Sequence, residues 1–260
     1  MADRSDTGSA PADPARNAPA AGWTTLRTTV VTELLTAAIA DLQAASGASS
    51  LRIVDAGGGT GGVGVPLAAA GHDVLVVDPS PDAMATLHRR AEERADGSAA
   101  RIRGVQGDVA DLPSLVPAGS VDVVVLHDVL DVVDDPHQAL AAVRDVLRPG
   151  GLVSVVVAGR VGTAIARALA GRFEAAAALL DPGTPGPRYD VRSLPAALQS
   201  AGLDVVAIHG VRVFSDLVPG ALLEHETGAA SALLALERAA ATHPDVHPIA
   251  ARLHALAHRR

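Results

Sequence analysis

The stretch LRIVDAGGGTGGVGVPLAAAGHDVLVVDPS, residues 51–80, constrains the fold more than any other part of the chain. An apolar run enters a cluster of glycines, a small-residue helical segment follows, and a second apolar run ends in an acid. Glycines after a strand keep the turn open and let the backbone approach a ligand, so the pattern reads as strand, loop, helix and strand around a nucleoside. Gly57, Gly59 and Gly62 fit the G-x-G-x-x-G spacing, and Asp78 stands where an acid meets ribose hydroxyls. The same residues suit a dinucleotide or S-adenosylmethionine.

The pattern continues on both sides. Residues 24–45 repeat apolar positions at helical spacing, with Leu26, Val30, Leu34, Ala38 and Leu42 on one face. Strand-like LRIVDA, DVLVVD, IRGVQGD, VDVVVLHDVL and GLVSVVVAG then alternate with helices near 63–70, 81–95 and 136–147. Short Val-, Ile- and Leu-rich strands separated by helices require a parallel sheet covered on both faces, which is a doubly wound, mostly parallel α/β architecture. Beyond residue 160 we expect a helix over VGTAIARALAGRFEAAAALL and a Pro/Gly loop. SLPAALQSAGLDVVAIHGVRVFSD reads as helix, strand and second strand, and the alanine-rich end as one or two helices. One added strand should be antiparallel. The expected organisation is a disordered leader over 1–20 and one domain over 21–260, with a cofactor-binding core at 50–160 and a substrate-capping part at 161–260.

Composition narrows the function classes. Net charge is −8 and the sequence contains no lysine, so a duplex-wide phosphate-binding surface and DNA as a partner are not expected. Aromatic residues make up 2%, which leaves few platforms for stacking unpaired bases. No apolar run reaches the length of a membrane span and the first twenty residues lack the apolar core of a signal peptide, so a cytoplasmic location is expected. The absence of cysteine excludes disulfides, thiolate metal sites and cysteine nucleophiles.

Asp55 separates the two cofactor readings. In dinucleotide binders the first strand runs apolar into the first glycine, whereas here a carboxylate ends it, suited to an aminoacyl ammonium and hostile to a pyrophosphate. Asp78 serves either cofactor. After the third strand, VQGDVADLP offers Gln106, Gly107 and Asp108 to an adenine edge, and VLRPGG turns the chain into the fifth strand. That ordered set resembles the class I S-adenosylmethionine-dependent methyltransferases over residues 25–160.

A closer resemblance runs through GWTTLR, LRIVDAGGG, GHDVLVVDPS, LHDVLDVVDDP, LRPGG, GVRVF and ALLALERAAATHPD, which are similar to the bacterial tRNA 5-carboxymethoxyuridine methyltransferase family. Members of that family methylate a carboxylate on a wobble uridine. The resemblance implies S-adenosylmethionine as cofactor, with Arg27, Gly57, Gly58, Asp78, Gln106, Gly107 and His127 at its binding positions, while Gly59 is a cofactor candidate from the glycine spacing alone. Arg27 would pair with the cofactor carboxylate, and His127 would line its mouth. Two departures stand out. The family's lysine-rich segment is replaced by LLDPGTPGPRYDVRS, and its Tyr-Asn pair after the fifth strand by Ala158 and Gly159. The implied acceptor is therefore a modified tRNA nucleoside or a small molecule.

Other candidates have plainer readings beside the functional ones. His127 is the nearest general base for a hydroxyl, phenol or amine acceptor, or else a hydrogen-bonded strand-end histidine. Arg160, Arg172, Arg188, Arg192 and Arg212 could grip a carboxylate or phosphate, or simply be surface charges. Asp134 and Asp135 before Pro136 suit a helix start. His243, His247, His254 and His258, with two i,i+4 steps, suit a solvated helix face better than a metal site, and no metal is expected. Two rival functions remain open at this level: an NAD-dependent oxidoreductase, and a non-catalytic S-adenosylmethionine-binding protein motivated by Ala158 and Gly159.

Overall fold

The computed structural model describes residues 21–94, 96–181 and 189–260, and for side chains not those of 21–27, 224 and 225. The expected leader, Arg188 and the Arg27 side chain lie outside this description. The chain opens with helix α1 (Ala21–Ser46), then alternates β1 (Arg52–Ala56), α2 (Gly64–Ala69), β2 (Asp73–Asp78), α3 (Pro81–Glu92), β3 (Ile102–Gln106), α4 (Leu112–Leu115), β4 (Val121–His127), α5 (Pro136–Val146) and β5 (Leu147–Ala158). It continues through α6 (Arg160–Leu169), α7 (Phe173–Ala178), α8 (Ser193–Ser200), β6 (Leu203–Val211), α9 (Gly220–His225), α10 (Ala229–Ala241) and β7 (Arg252–Arg259).

The seven strands form one sheet in the order β3-β2-β1-β4-β5-β7-β6. The first five pair in parallel, and β7 runs antiparallel to both β5 and β6. Its central strands are predominantly apolar because both faces are covered: Val123, Val124, Val125 and Leu126 of β4 have no exposed surface. Beneath one face Leu35 and Ile39 of α1, Val65 and Leu67 of α2, and Met84 and Leu87 of α3 pack on Ile53, Val76, Val125, Leu152 and Leu256. Under the other, Leu140 and Val143 of α5 and Leu194 and Leu198 of α8 pack on Val54, Val124, Val155 and Ala255.

Four expectations are corrected. The buried face of α1 centres on Val30, Leu35 and Ile39, one residue round from the predicted stripe in its second half. The single helix expected after residue 160 is two, because Gly171 at φ +72° lies between α6 and α7. No second strand follows β6, which ends at Val211: Arg212 adopts φ +58°, and the following turn is pinned by Glu237 of α10, whose buried carboxylate accepts the backbone N–H groups of Val213, Phe214 and Ser215 at 3.0, 2.9 and 2.5 Å. The last strand is instead β7 at ARLHALAHRR, read from the sequence as helix. Residues four apart share a face in a strand as well as in a helix, so the His254/His258 spacing does not distinguish them. Pairing between β5 and β6 makes this segment a strand, with Leu253, Ala255 and Ala257 on one face and His254 and Leu256 on the other.

Candidate functional site

The cofactor candidates gather at the carboxyl ends of β1 to β4, where open α/β sheets bind ligands. Gly57 leaves β1 at φ +71° and its N–H reaches Val77 O at 2.7 Å, which turns the loop across the end of β2. A side chain on Gly57 would overlap Val129, and one on Gly58 would overlap the Asp55 carboxylate. Backbone and carboxylate therefore approach to a distance that only glycine permits. Gly59, at φ +54°, donates its N–H to Asp78 Oδ2 at 2.9 Å, and Ser80 N donates to Asp78 Oδ1 at 2.9 Å. Asp78 thus fixes the glycine loop and the start of α3 while remaining in the wall of the cleft.

Asp55 is 3% exposed and its Oδ2 has no hydrogen-bond partner. Burial pushes its carboxyl up to about 7, against the pull of the Gly64 N–H at the start of α2 and with a further push from the Asp78 charge. A buried carboxylate lacking a counter-charge is costly, and a cation brought against it would lower that cost.

The third strand ends beside these acids. Gln106 is exposed and donates its amide to Pro79 O at 3.0 Å, joining the ends of β3 and β2. Gly107 N bonds Asp78 O at 3.2 Å. Asp108 caps the short turn that follows through Ala110 N at 3.2 Å, and Asp111 closes the reciprocal bond to Asp108 N at 2.9 Å. Gly57, Asp78, Gly107, Asp108, Asp128 and Asp134 line a cleft of ≈ 330 Å³ with Val129, Val132 and Val133. The cleft therefore carries four carboxylates and no basic side chain in its lining. Asp128, at φ +58°, is ion-paired to Arg252 at 2.8 Å.

His127 ends β4 but is not among the residues lining this cleft, its ring turning sideways so that Nε2 lies 2.8 Å from Ser154 Oγ on β5. Desolvation brings its imidazole down to about 4, leaving it neutral at pH 7. Arg160 pairs with Asp190 at 3.0 Å, Arg212 pairs with Asp216, and Arg172 and Arg192 are exposed. Asp135 caps α5 through His137 N and Gln138 N at 2.9 and 3.1 Å, the helix-start role expected of it. Gly159 has a packing explanation: a side chain there, or on Gly162, would overlap Ala250 O.

The residues that the sequence reading missed are Ser154, His209 and Arg252. Their signal was period-2 spacing in GLVSVVVA, VVAIHGV and ARLHALAH, which places polar residues among apolar ones on a face seen only once the strands are paired. Among the described residues no three His, Asp or Glu side chains are grouped to hold a metal ion, and no helix is long and apolar enough to cross a membrane.

A family model described as a methyltransferase domain matches residues 54–153. The chain is 31% identical over 175 residues to the tRNA 5-carboxymethoxyuridine methyltransferase of Escherichia coli (strain K12), a match covering 65% of this chain and 66% of that enzyme. It is also 31% identical over 182 residues to the ubiquinone biosynthesis O-methyltransferase of Methylocella silvestris, covering 68% and 67%. Among solved structures, magnesium protoporphyrin IX methyltransferase from Synechocystis PCC 6803 with bound SAH aligns at a TM-score of 0.58 and 16% identity, over 97% of this chain and 90% of that one.

Proposed function

The chain belongs to the class I S-adenosylmethionine-dependent methyltransferases, and from that membership we propose that it methylates a small-molecule acceptor in the cytoplasm, at the carboxyl ends of β4 and β5. The observation that carries the cofactor assignment is the partnerless, buried Oδ2 of Asp55 beneath the glycine loop. An aminoacyl ammonium answers it, and a pyrophosphate would be repelled. The NAD-dependent reading has nothing comparable in its favour.

In this reading Asp55 faces the ammonium, and Gly57, Gly58 and Gly59 form the cradle. Asp78 accepts the ribose hydroxyls, Gln106, Gly107 and Asp108 meet the adenine edge, and Arg27 pairs with the carboxylate. When bound, the sulfonium supplies a methyl group for in-line displacement, and the chain contributes positioning and exclusion of water. Arg160, Arg172, Arg188 and Arg192 are candidates for gripping an acidic acceptor. Of these, Arg160 is already held by Asp190.

The acid-lined cleft and the net charge of −8 favour a small acceptor over a polyanion. The 31% identity to the Escherichia coli enzyme supports a second reading, a modified tRNA nucleoside carboxylate. The matched segment spans 66% of that relative's length.

Calorimetric titration with S-adenosylhomocysteine, NAD and an Asp78→Ala variant tests the cofactor assignment. We expect S-adenosylhomocysteine to bind, NAD to give no heat, and the variant to lose at least tenfold in affinity. Binding of NAD alone would move the protein to the oxidoreductases. Methyl transfer to no hydroxyl, amine or carboxylate acceptor, with the homocysteine product still bound, would favour a non-catalytic binding protein.

A further inference from the structure

Four polar side chains form a line across β4, β5, β7 and β6 on the face of the sheet that packs on α1 to α3. Val123 and Val125 of β4, Leu152 of β5, Leu256 of β7 and Ala207 of β6 belong to that face, and strand alternation places His127, Ser154, His254 and His209 on it as well. They are linked in single file. His127 Nε2 lies 2.8 Å from Ser154 Oγ, Ser154 Oγ lies 2.9 Å from His254 Nε2, and His254 Nδ1 lies 3.2 Å from His209 Nδ1. The rings of His254 and His209 stack at 5.2 Å, and those of His127 and His254 meet edge to face at 6.0 Å. Ser154 and His254 have no exposed surface, whereas His127 is partly accessible and His209 keeps 8% on the sheet's edge strand. Four strands at their usual separation make the path about 14 Å long.

We propose that His127, Ser154, His254 and His209 are a proton wire, carrying the proton lost by a hydroxyl or amine acceptor from the cleft end of β4 to solvent at β6. This rests on the methyltransferase reading and deepens it, because a carboxylate acceptor has no proton to lose and gives such a wire no use.

The protons balance. Three neutral imidazoles and one hydroxyl can join all three contacts in single file, every donor pointing the same way along the line, in two ways. In the first, His127 Nε2–H donates to Ser154, Ser154 O–H to His254 Nε2, and His254 Nδ1–H to His209 Nδ1, leaving His127 Nδ1 unprotonated and His209 Nε2 protonated. As the acceptor's O–H or N–H bond breaks and its heteroatom takes the methyl group, the proton goes to His127 Nδ1. Each proton then moves one place along, and His209 Nε2–H is released to water. The wire ends in the second arrangement, with every donor reversed, and is reset once product leaves, when His127 Nδ1–H passes to water in the vacated site and His209 Nε2 takes a proton from solvent.

The surroundings suit this traffic. Burial lowers the basicity of all three imidazoles, so none traps the proton. The facing groups that carry or can carry charge are Arg252 on β7, Asp128 paired with it, and His247, which bonds Ala241 O at 2.9 Å. A merely structural network would not need single-file order, since two imidazoles could both donate to Ser154 Oγ.

Ring-nitrogen NMR of the full chain labelled with 15N-histidine reads the difference directly. We expect Nε2–H, Nδ1–H and Nε2–H at His127, His254 and His209, or Nδ1–H, Nε2–H and Nδ1–H, and loss of that concerted order in Ser154→Ala while S-adenosylhomocysteine still binds. Nε2–H on both His127 and His254 overturns the wire. With catechol as hydroxyl probe, Ser154→Ala should lower kcat about 10²-fold, the range of general-base contributions, with KM unchanged, and Ser154→Thr should restore it. An unchanged kcat in a folded Ser154→Ala variant, or methylation of 5-carboxymethoxyuridine but not catechol, also overturns it. Failure to bind S-adenosylhomocysteine would instead sink the cofactor assignment, which the tautomer pattern does not touch.

Discussion

The α-carbon of Gly58 sits directly over the carboxylate of Asp55, so that a Cβ placed there would lie 2.5 Å from the carboxyl carbon. Gly58→Ala must therefore move either the loop or a buried acid wedged beneath Gly58 and Gly64. Overpacking of this kind costs roughly 1–3 kcal/mol. We expect a lower Tm and at least a tenfold loss of S-adenosylhomocysteine affinity, read by thermal unfolding and calorimetry.

Proton release on binding tests Asp55 itself. With its carboxyl raised to about 7 by burial, much of it is protonated at pH 6.5, and an ammonium docked beside Oδ2 would ionise it. Calorimetry in buffers of different ionisation enthalpy should show net proton release between pH 6 and 7, absent in Asp55→Asn. The apo protein carries a matching dependence of stability on pH. A folded pKa above the unfolded one stabilises fully below the unfolded value of 3.8, and that contribution is lost as pH rises through about 7. Stability of the parent relative to Asp55→Asn should therefore fall by a few kcal/mol over that window, at about 1.4 kcal/mol for each pH unit crossed.

His127 has the opposite sign. Its folded pKa of about 4 lies below the ordinary histidine value of 6.5, so its neutral form stabilises the fold above 6.5 and that contribution is lost as pH falls towards 4. Denaturant titrations at pH 7 and pH 4.5 should show less acid destabilisation in His127→Gln than in the parent.

Glu237 bonds three backbone N–H groups of the turn after β6 from within the core. Glu237→Ala would orphan all three, at about 1–3 kcal/mol for each buried group left unpaired, and Glu237→Gln should recover part of the loss. Chemical denaturation of the two variants distinguishes them.

Because β7 lies between β5 and β6, removing residues 252–260 would strip both neighbours of their ladder. We expect the truncated chain to lose cooperative unfolding by circular dichroism, rather than to shed a dispensable tail.

The sequence by itself determined the first five strands, their helices and the place of the glycine loop. Continuous Val/Ile/Leu runs between helices admit only a doubly covered parallel sheet, and glycine followed by an acid marks where its loops meet a ligand. It also placed Asp55 and Asp78 correctly at the ends of β1 and β2, because strand ends are local features. Only tertiary structure decided that ARLHALAHRR is a strand, since an i,i+4 histidine pair fits one face of either element until β5 and β6 supply partners. The same holds for the partnerless oxygen of Asp55 and for the line from His127 to His209. Burial and cross-strand contact join residues up to 100 positions apart, as Ser154 and His254 are, and no spacing along the chain records that.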